Sequence, residues 1–227
     1  MIHDKPSISN VSFFQRYQLV FVFLIAFFVV EIPFISIPLK WFESYFHELS
    51  HGLAALITGG SIVSIQLNID GSGLCTTQGG SRLLISFMGY AGASLFGYGL
   101  VRVSTMHQTV TKVFIGALSF VIATSLVLWA KDILTIGIIL FLLMFVTLKL
   151  FYFKKAYLPF LFQLTGATVV LNSIKSPLYL FDGRSLGDGA TLAQLTFMPE
   201  FVWVVIWCAL GMMTAYLLIK SHLSRQY

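Results

Sequence analysis

Charge is scarce in this chain. Of its 227 residues only 10% are Asp, Glu, Lys or Arg while 57% are hydrophobic, and soluble domains carry about 25% charged residues. That excludes an ordinary water-soluble domain and places the chain in a bilayer. Cysteine is nearly absent as well. Cys75 and Cys208 form no CxxC or Cys/His pattern, which excludes a disulfide framework and a thiolate metal site, so any metal must be held by nitrogen and oxygen. The formal charge of +5 comes without a basic run or an interleaved aromatic stripe. It reads as membrane-flanking charge, with no nucleic acid as partner. No small-residue cleavage site follows the first apolar run, so that run is expected to stay as a span instead of being removed as a signal peptide. Internal repeats, low-complexity tracts and soluble domains are all missing, so residues 1–227 read as a single integral-membrane domain.

What is present is a series of apolar windows, each near the roughly 20 residues that a helix needs to cross the hydrocarbon. They run from about Tyr17 to Leu39, Trp41 to Thr58, Leu83 to Val103, Lys112 to Ala130, Ile133 to Tyr152, Tyr157 to Ile174 and Phe201 to Ile219. The second is short for a full span. The expected fold is therefore an all-α, multi-pass membrane bundle of six to seven transmembrane helices, lying in the inner or plasma membrane if the source is prokaryotic. Two intervals break the apolar pattern. In the first, residues 61–80, Val63, Ile65, Leu67 and Ile69 alternate with Ser64, Gln66 and Asn68 before an Asp70-Gly71 turn signal, which predicts a strand and a small β-hairpin. The second, residues 175–200, is too polar to cross the membrane and holds Asp182 and Asp188.

The chemistry concentrates in "FHELSHG", Phe46 to Gly52. On a helix, residues four apart share a face, so His47 and His51 direct imidazole nitrogens at one point while Glu48 flanks it. This is a two-ligand zinc clamp with an adjacent base. Zinc in hydrolases takes three protein ligands and keeps a fourth position for water, whose pKa it lowers towards about 7. Glu48 is then placed to take the water proton as a peptide carbonyl is attacked and to return it to the leaving amine. The bland alternative is a polar helix contact or a decayed site. Ionisable groups at membrane depth are costly, which favours the functional reading.

The residues around this motif resemble a known family. The stretch "FHELSHGLAALITGGSIVSIQLNIDGSGLCTTQGGSRLLISFMGYAGASLFG" is similar to the compact, B-like branch of the site-2 protease class of intramembrane zinc metalloproteases. In that branch a helix with "HELGHALAALLTGG" leads into "GG.R.....GY.G..L.G". Further on, "GDGATLAQLTFMPEFVWVVIW" is similar to the branch's "SDA..LA.LT..P..VW...W", and together these stretches cover about a third of the chain in the right order. The resemblance implies an enzyme, a zinc metalloendopeptidase that cuts a membrane-protein or peptide substrate within or near a transmembrane segment. It also implies a third zinc ligand, an Asp from far along the chain. Asp188 aligns with the Asp of "SDA", and Asp182, in "LYLFDGR", is similar to the "LDG" element of the wider class. The longer downstream match favours Asp188, with Asp182 as the alternative. Gly187 and Gly189 stand where the branch has Ser and Ala. Asp70 and Asp132 have simpler roles as turn residues.

Other features carry less. Gly89, Ala93 and Gly97 form a small-residue stripe that allows a neighbouring helix close, including the one with the histidines. The free edge of the predicted strand offers either cover for the bundle or a template for an unwound substrate segment. Glu31 reads as a snorkelling or paired carboxylate, and Gln163 and Asn172 read as helix-contact residues. The rival functions are a catalytically silent membrane scaffold with a structural metal and a metal transporter. A transporter would show further polar ligands in several spans, and they are sparse here.

Overall fold

The computed structural model describes residues 13–152, 157–182 and 186–224. Helix α1 (Phe13–Arg16) is a single turn leading into α2 (Gln18–Val29), and α3 (Ser36–Ile57) carries the HExxH motif. The hairpin β1 (Ser61–Leu67) and β2 (Gly73–Gln78) follows, then α4 (Arg82–Val103), α5 (Gln108–Leu128), α6 (Ile133–Phe151) and α7 (Tyr157–Lys175). A 3₁₀ segment (Ser176–Asp182) leads towards α8 (Asp188–Thr196) and α9 (Glu200–Leu223). This is the polytopic helical bundle with a small antiparallel hairpin that the apolar windows predict.

Five helices among the described residues are long and apolar enough to cross a membrane: α4, α5, α6, the α7 stretch with its 3₁₀ extension, and α9. Outward-facing Val113, Phe120, Val127, Met144, Val205 and Met213 are all exposed, as expected of side chains that meet lipid. The first apolar window differs from the expected single span. Its helix α2 stops at Val29 after 12 residues, and the next begins at Ser36. Pro33 supplies no N–H and disfavours helical geometry in the residue before it, and Phe34 lies at φ 65°. Pro38 falls in the first turn of α3, where a missing N–H costs nothing. Lys175, the last residue of α7, pairs with Glu31 in this break.

Helix α3 occupies the middle of the molecule, packed on α4, α7, α6 and both strands. Tyr45, Phe46 and Leu49 have no exposed surface. Phe46 stacks on Phe96 at 4.7 Å between ring centroids, and the Tyr45 hydroxyl shares a 2.9 Å hydrogen bond with Ser125 of α5. In lipid there is little hydrophobic drive to bring helices together, so close approach depends on small residues. The predicted stripe on α4 divides between two neighbours. A Cβ on Gly97 would lie 3.0 Å from the Gly166 carbonyl oxygen of α7, whereas one on Gly89 would lie 2.5 Å from His51 Cε1. Gln163 bonds to Gln18 of α2, and Asn172 lines a large cavity beside the α2–α3 break.

The hairpin lies against α3. Asp70 is the turn residue expected of it: Ser72 donates to its carboxylate from both backbone N–H and hydroxyl, which holds that carboxyl below its usual range. Asp132 caps α6 by accepting from Thr135 N–H, with the same downward effect on its carboxyl. The outer edge of β1 is occupied, because Ile65 N–H donates to Trp129 O and Leu67 N–H to the Thr135 hydroxyl. Gly73, Leu74 and Cys75 of β2 border a cavity that His47, Glu48 and His51 also line.

Candidate metal centre

His47 and His51 lie one turn apart on α3, and Asp188 is the first residue of α8. Asp188 Oδ2 is 3.3 Å from His47 Nε2 and 3.3 Å from His51 Nε2, and the two Nε2 atoms are 2.9 Å apart. Among the described residues these three form the one group of His, Cys, Asp or Glu able to hold a metal ion. The side chain of Asp182, the alternative, lies outside the described residues. Glu48 is buried at 6% exposure and stands outside the three-ligand group.

The donor set fits a cation. His51 Nδ1 lies 2.7 Å from the Ile85 carbonyl. A carbonyl only accepts, so Nδ1 carries the proton in this contact and Nε2 of the neutral ring is left with a lone pair. A carboxylate oxygen and the other Nε2 converge on that lone pair. Either a metal ion or a proton on His47 Nε2, whose tautomer no contact fixes, holds the three groups this close. Ligands about 2.0 to 2.1 Å from a tetrahedral zinc are spaced about 3.3 Å apart, which is the observed carboxylate-to-imidazole spacing. The carbonyl of Ile85 is an outer partner of the kind that orients a ligating histidine. Burial pushes the Cys75 thiol up to about 12, and its sulfur is not among the three converging ligand atoms.

Glycines make room for this packing. A Cβ on Gly89 would lie within 2.6 Å of both imidazoles, and one on Gly73 would lie 2.7 Å from Glu48 Cγ. The two glycines around Asp188 also acquire reasons. Gly187 has φ 93° and ψ −163°, a region essentially reserved for glycine. A Cβ on Gly189 would come within 2.7 Å of Glu200 Oε1, so this chain's carboxylate on α9 takes the space an alanine methyl would fill. Gly187→Ala is therefore expected to lower stability by about 1 to 3 kcal/mol. Thermal unfolding in detergent checks this, with a Gly166→Ala comparison for damage at a distant helix contact.

The site opens into a cavity of about 290 Å³ bounded by His47, Glu48 and Asp188, with Gly73, Leu74 and Cys75 of β2 as one wall. In the ladder, Ile65 pairs with Cys75. Since Ile65 N–H is turned outward to Trp129, Cys75 N–H is also turned out of the hairpin, and it lies against the Glu48 carboxylate. An adjoining cavity of about 240 Å³, which shares His47, Glu48, Gly73 and Tyr90, leads past Glu43 and Ser176 to an outer one of about 640 Å³. Glu43, Gly73 and Tyr90 were not singled out from the sequence. Glu43 carried a usable signal, since it precedes His47 by four residues and so shares its helix face.

By fold and site this is a polytopic helical membrane protein with a candidate metal centre, in which two histidines of one helix and a distal aspartate converge at a cavity. The chain is a member of the Peptidase M50B-like family, which matches residues 20–218 and so takes in the HExxH helix, the hairpin and the Asp188 segment. Membership makes it an integral-membrane metalloprotease of the site-2 protease type. No curated protein and no solved structure matches the chain.

Proposed function

We propose that the chain is a zinc endopeptidase that hydrolyses a peptide bond within or near a transmembrane segment of a membrane-protein substrate. His47, His51 and Asp188 are its zinc ligands, Glu48 is its general base, and residues 1–227 act as one domain. The observation that carries this reading is the meeting of three metal-ligating atoms within 4.8 Å of one another, beside a buried carboxylate and inside a membrane bundle. Zinc held there supplies Lewis acidity, polarising the scissile carbonyl and lowering the pKa of water towards about 7.

The chain's own groups do the rest. Glu48 accepts a proton from the attacking water and passes it to the leaving nitrogen. The outer edge of β2 receives the substrate as an added strand, which matters because a peptide bond inside a helix is shielded from attack. Bonding of β1 to Trp129 after α5 and to Thr135 in the first turn of α6 supports this choice of edge. The bilayer is the second partner, since it delivers the substrate laterally. Purified protein is expected to hold about one zinc per chain. Chelation is expected to abolish cleavage of a membrane substrate, and one equivalent of zinc to restore it. Protein that purifies without metal and gains none on zinc addition contradicts the reading.

A further inference from the structure

We infer that Tyr90 is a further catalytic residue, donating a hydrogen bond from its phenol hydroxyl to the oxygen on which charge develops as the peptide carbonyl is attacked. The inference rests on the proteolytic reading above and deepens it. Four residues bound both inner cavities: His47, Glu48, Gly73 and Tyr90. His47 and Glu48 are committed as ligand and base, and Gly73 has no side chain. Tyr90, on α4, is left as the residue with a side-chain hydroxyl at this junction, which Gly73 of β2 also lines. A peptide laid along the outer edge of β2 and over Glu48 passes this junction.

The ring is held firmly. It meets the His47 imidazole at 4.4 Å between centroids and an interplanar angle of 71°, and it packs on Trp207 at 4.8 Å. Trp207 is itself fixed by donating from its indole nitrogen to the Phe87 carbonyl at 3.0 Å. Among the described residues no hydrogen bond engages the Tyr90 hydroxyl. A donor that is rigid, without a protein acceptor and beside the reacting groups has little reorganisation to do when an anion appears, which is the condition for electrostatic stabilisation of a transition state.

The step balances without proton loss from Tyr90. Water oxygen forms a bond to the carbonyl carbon and gives a proton to Glu48, while the carbonyl π pair moves to oxygen. That oxygen accepts the Tyr90 hydrogen bond. On collapse the C=O bond re-forms, the C–N bond breaks, and Glu48 returns the proton to nitrogen.

Tyr90→Phe removes one oxygen and keeps both ring contacts. With full-length protein in detergent and a quenched-fluorescent apolar peptide that the wild type cleaves, the variant is expected to retain about one zinc per chain and a KM within about twofold. Its kcat is expected to fall about 10²- to 10³-fold. A phosphinic analogue of the same peptide, which presents the anionic oxygen without reaction, is expected to bind the variant more weakly by a comparable factor, while substrate affinity holds. Unchanged kcat and unchanged analogue binding overturn the inference. So does loss of zinc in Tyr90→Phe, which would make the hydroxyl a support for the metal centre. A wild type that neither binds zinc nor cleaves brings down the proteolytic reading and this inference with it. If the wild type cleaves and Tyr90→Phe keeps pace, this inference alone falls.

Discussion

Glu48→Gln is expected to keep its zinc and to lose cleavage by about 10²- to 10⁴-fold, the range a positioned general base contributes. The substitution is nearly isosteric, so the packing of Gly73 against this side chain is preserved. The amide oxygen can still face Cys75 N–H. What the amide lacks is a lone pair basic enough to take a proton from water. Glu48 stands apart from the three converging ligand atoms, so metal content is the control that separates this role from a structural one. Metal analysis of the purified variant and cleavage of a co-expressed membrane substrate give the two readings. A variant that still cleaves removes Glu48 from the mechanism, and one that loses zinc makes it part of the metal site.

The convergence of the two HExxH histidines was legible because it is local. His47 and His51 belong to one helix, so a four-residue spacing already puts both imidazoles on one face, and tertiary structure only has to bury them. The hairpin was legible for a similar reason: alternation from Val63 to Ile69 and the Asp70-Gly71 turn are properties of adjacent residues. The break between Val29 and Ser36 was hidden because an apolar window counts side chains, while Pro33 acts through the backbone. Through-space packing was hidden altogether. Gly89 and Gly97 share one sequence stripe yet face the imidazoles and α7 respectively, a division that depends on how α4 is flanked on two sides. The space beside Gly189 is taken by Glu200, eleven residues on and in another helix. Tyr90 sits in the Gly-rich stretch after the hairpin, but its place at both inner cavities depends on how α3, α4 and β2 pack.

Asp188→Ala is expected to reduce bound zinc from about one per chain to below about a tenth, with cleavage lost in parallel, while Asp182→Ala keeps both. Losing an outer partner of a ligand typically costs about 10- to 100-fold in metal affinity, and losing a direct ligand exceeds that. Two imidazoles alone leave zinc one protein ligand short of a hydrolase site. Asp188 is suited to the role by its position at the N-terminus of α8, where the helix dipole favours a carboxylate. Its placement is held from behind by Leu192, which has no exposed surface and packs with Ala91 and Trp207. These anchors do not involve the carboxylate, so the fold should survive the substitution. Comparing melting temperatures after chelation isolates that point, because zinc bound to the folded state otherwise stabilises the wild type by linkage. Equal values for chelated wild type and Asp188→Ala mean that only a ligand was lost. Full zinc in Asp188→Ala together with loss in Asp182→Ala transfers the third-ligand role to Asp182, and the carboxylate spaced equally from both histidines would then need another task.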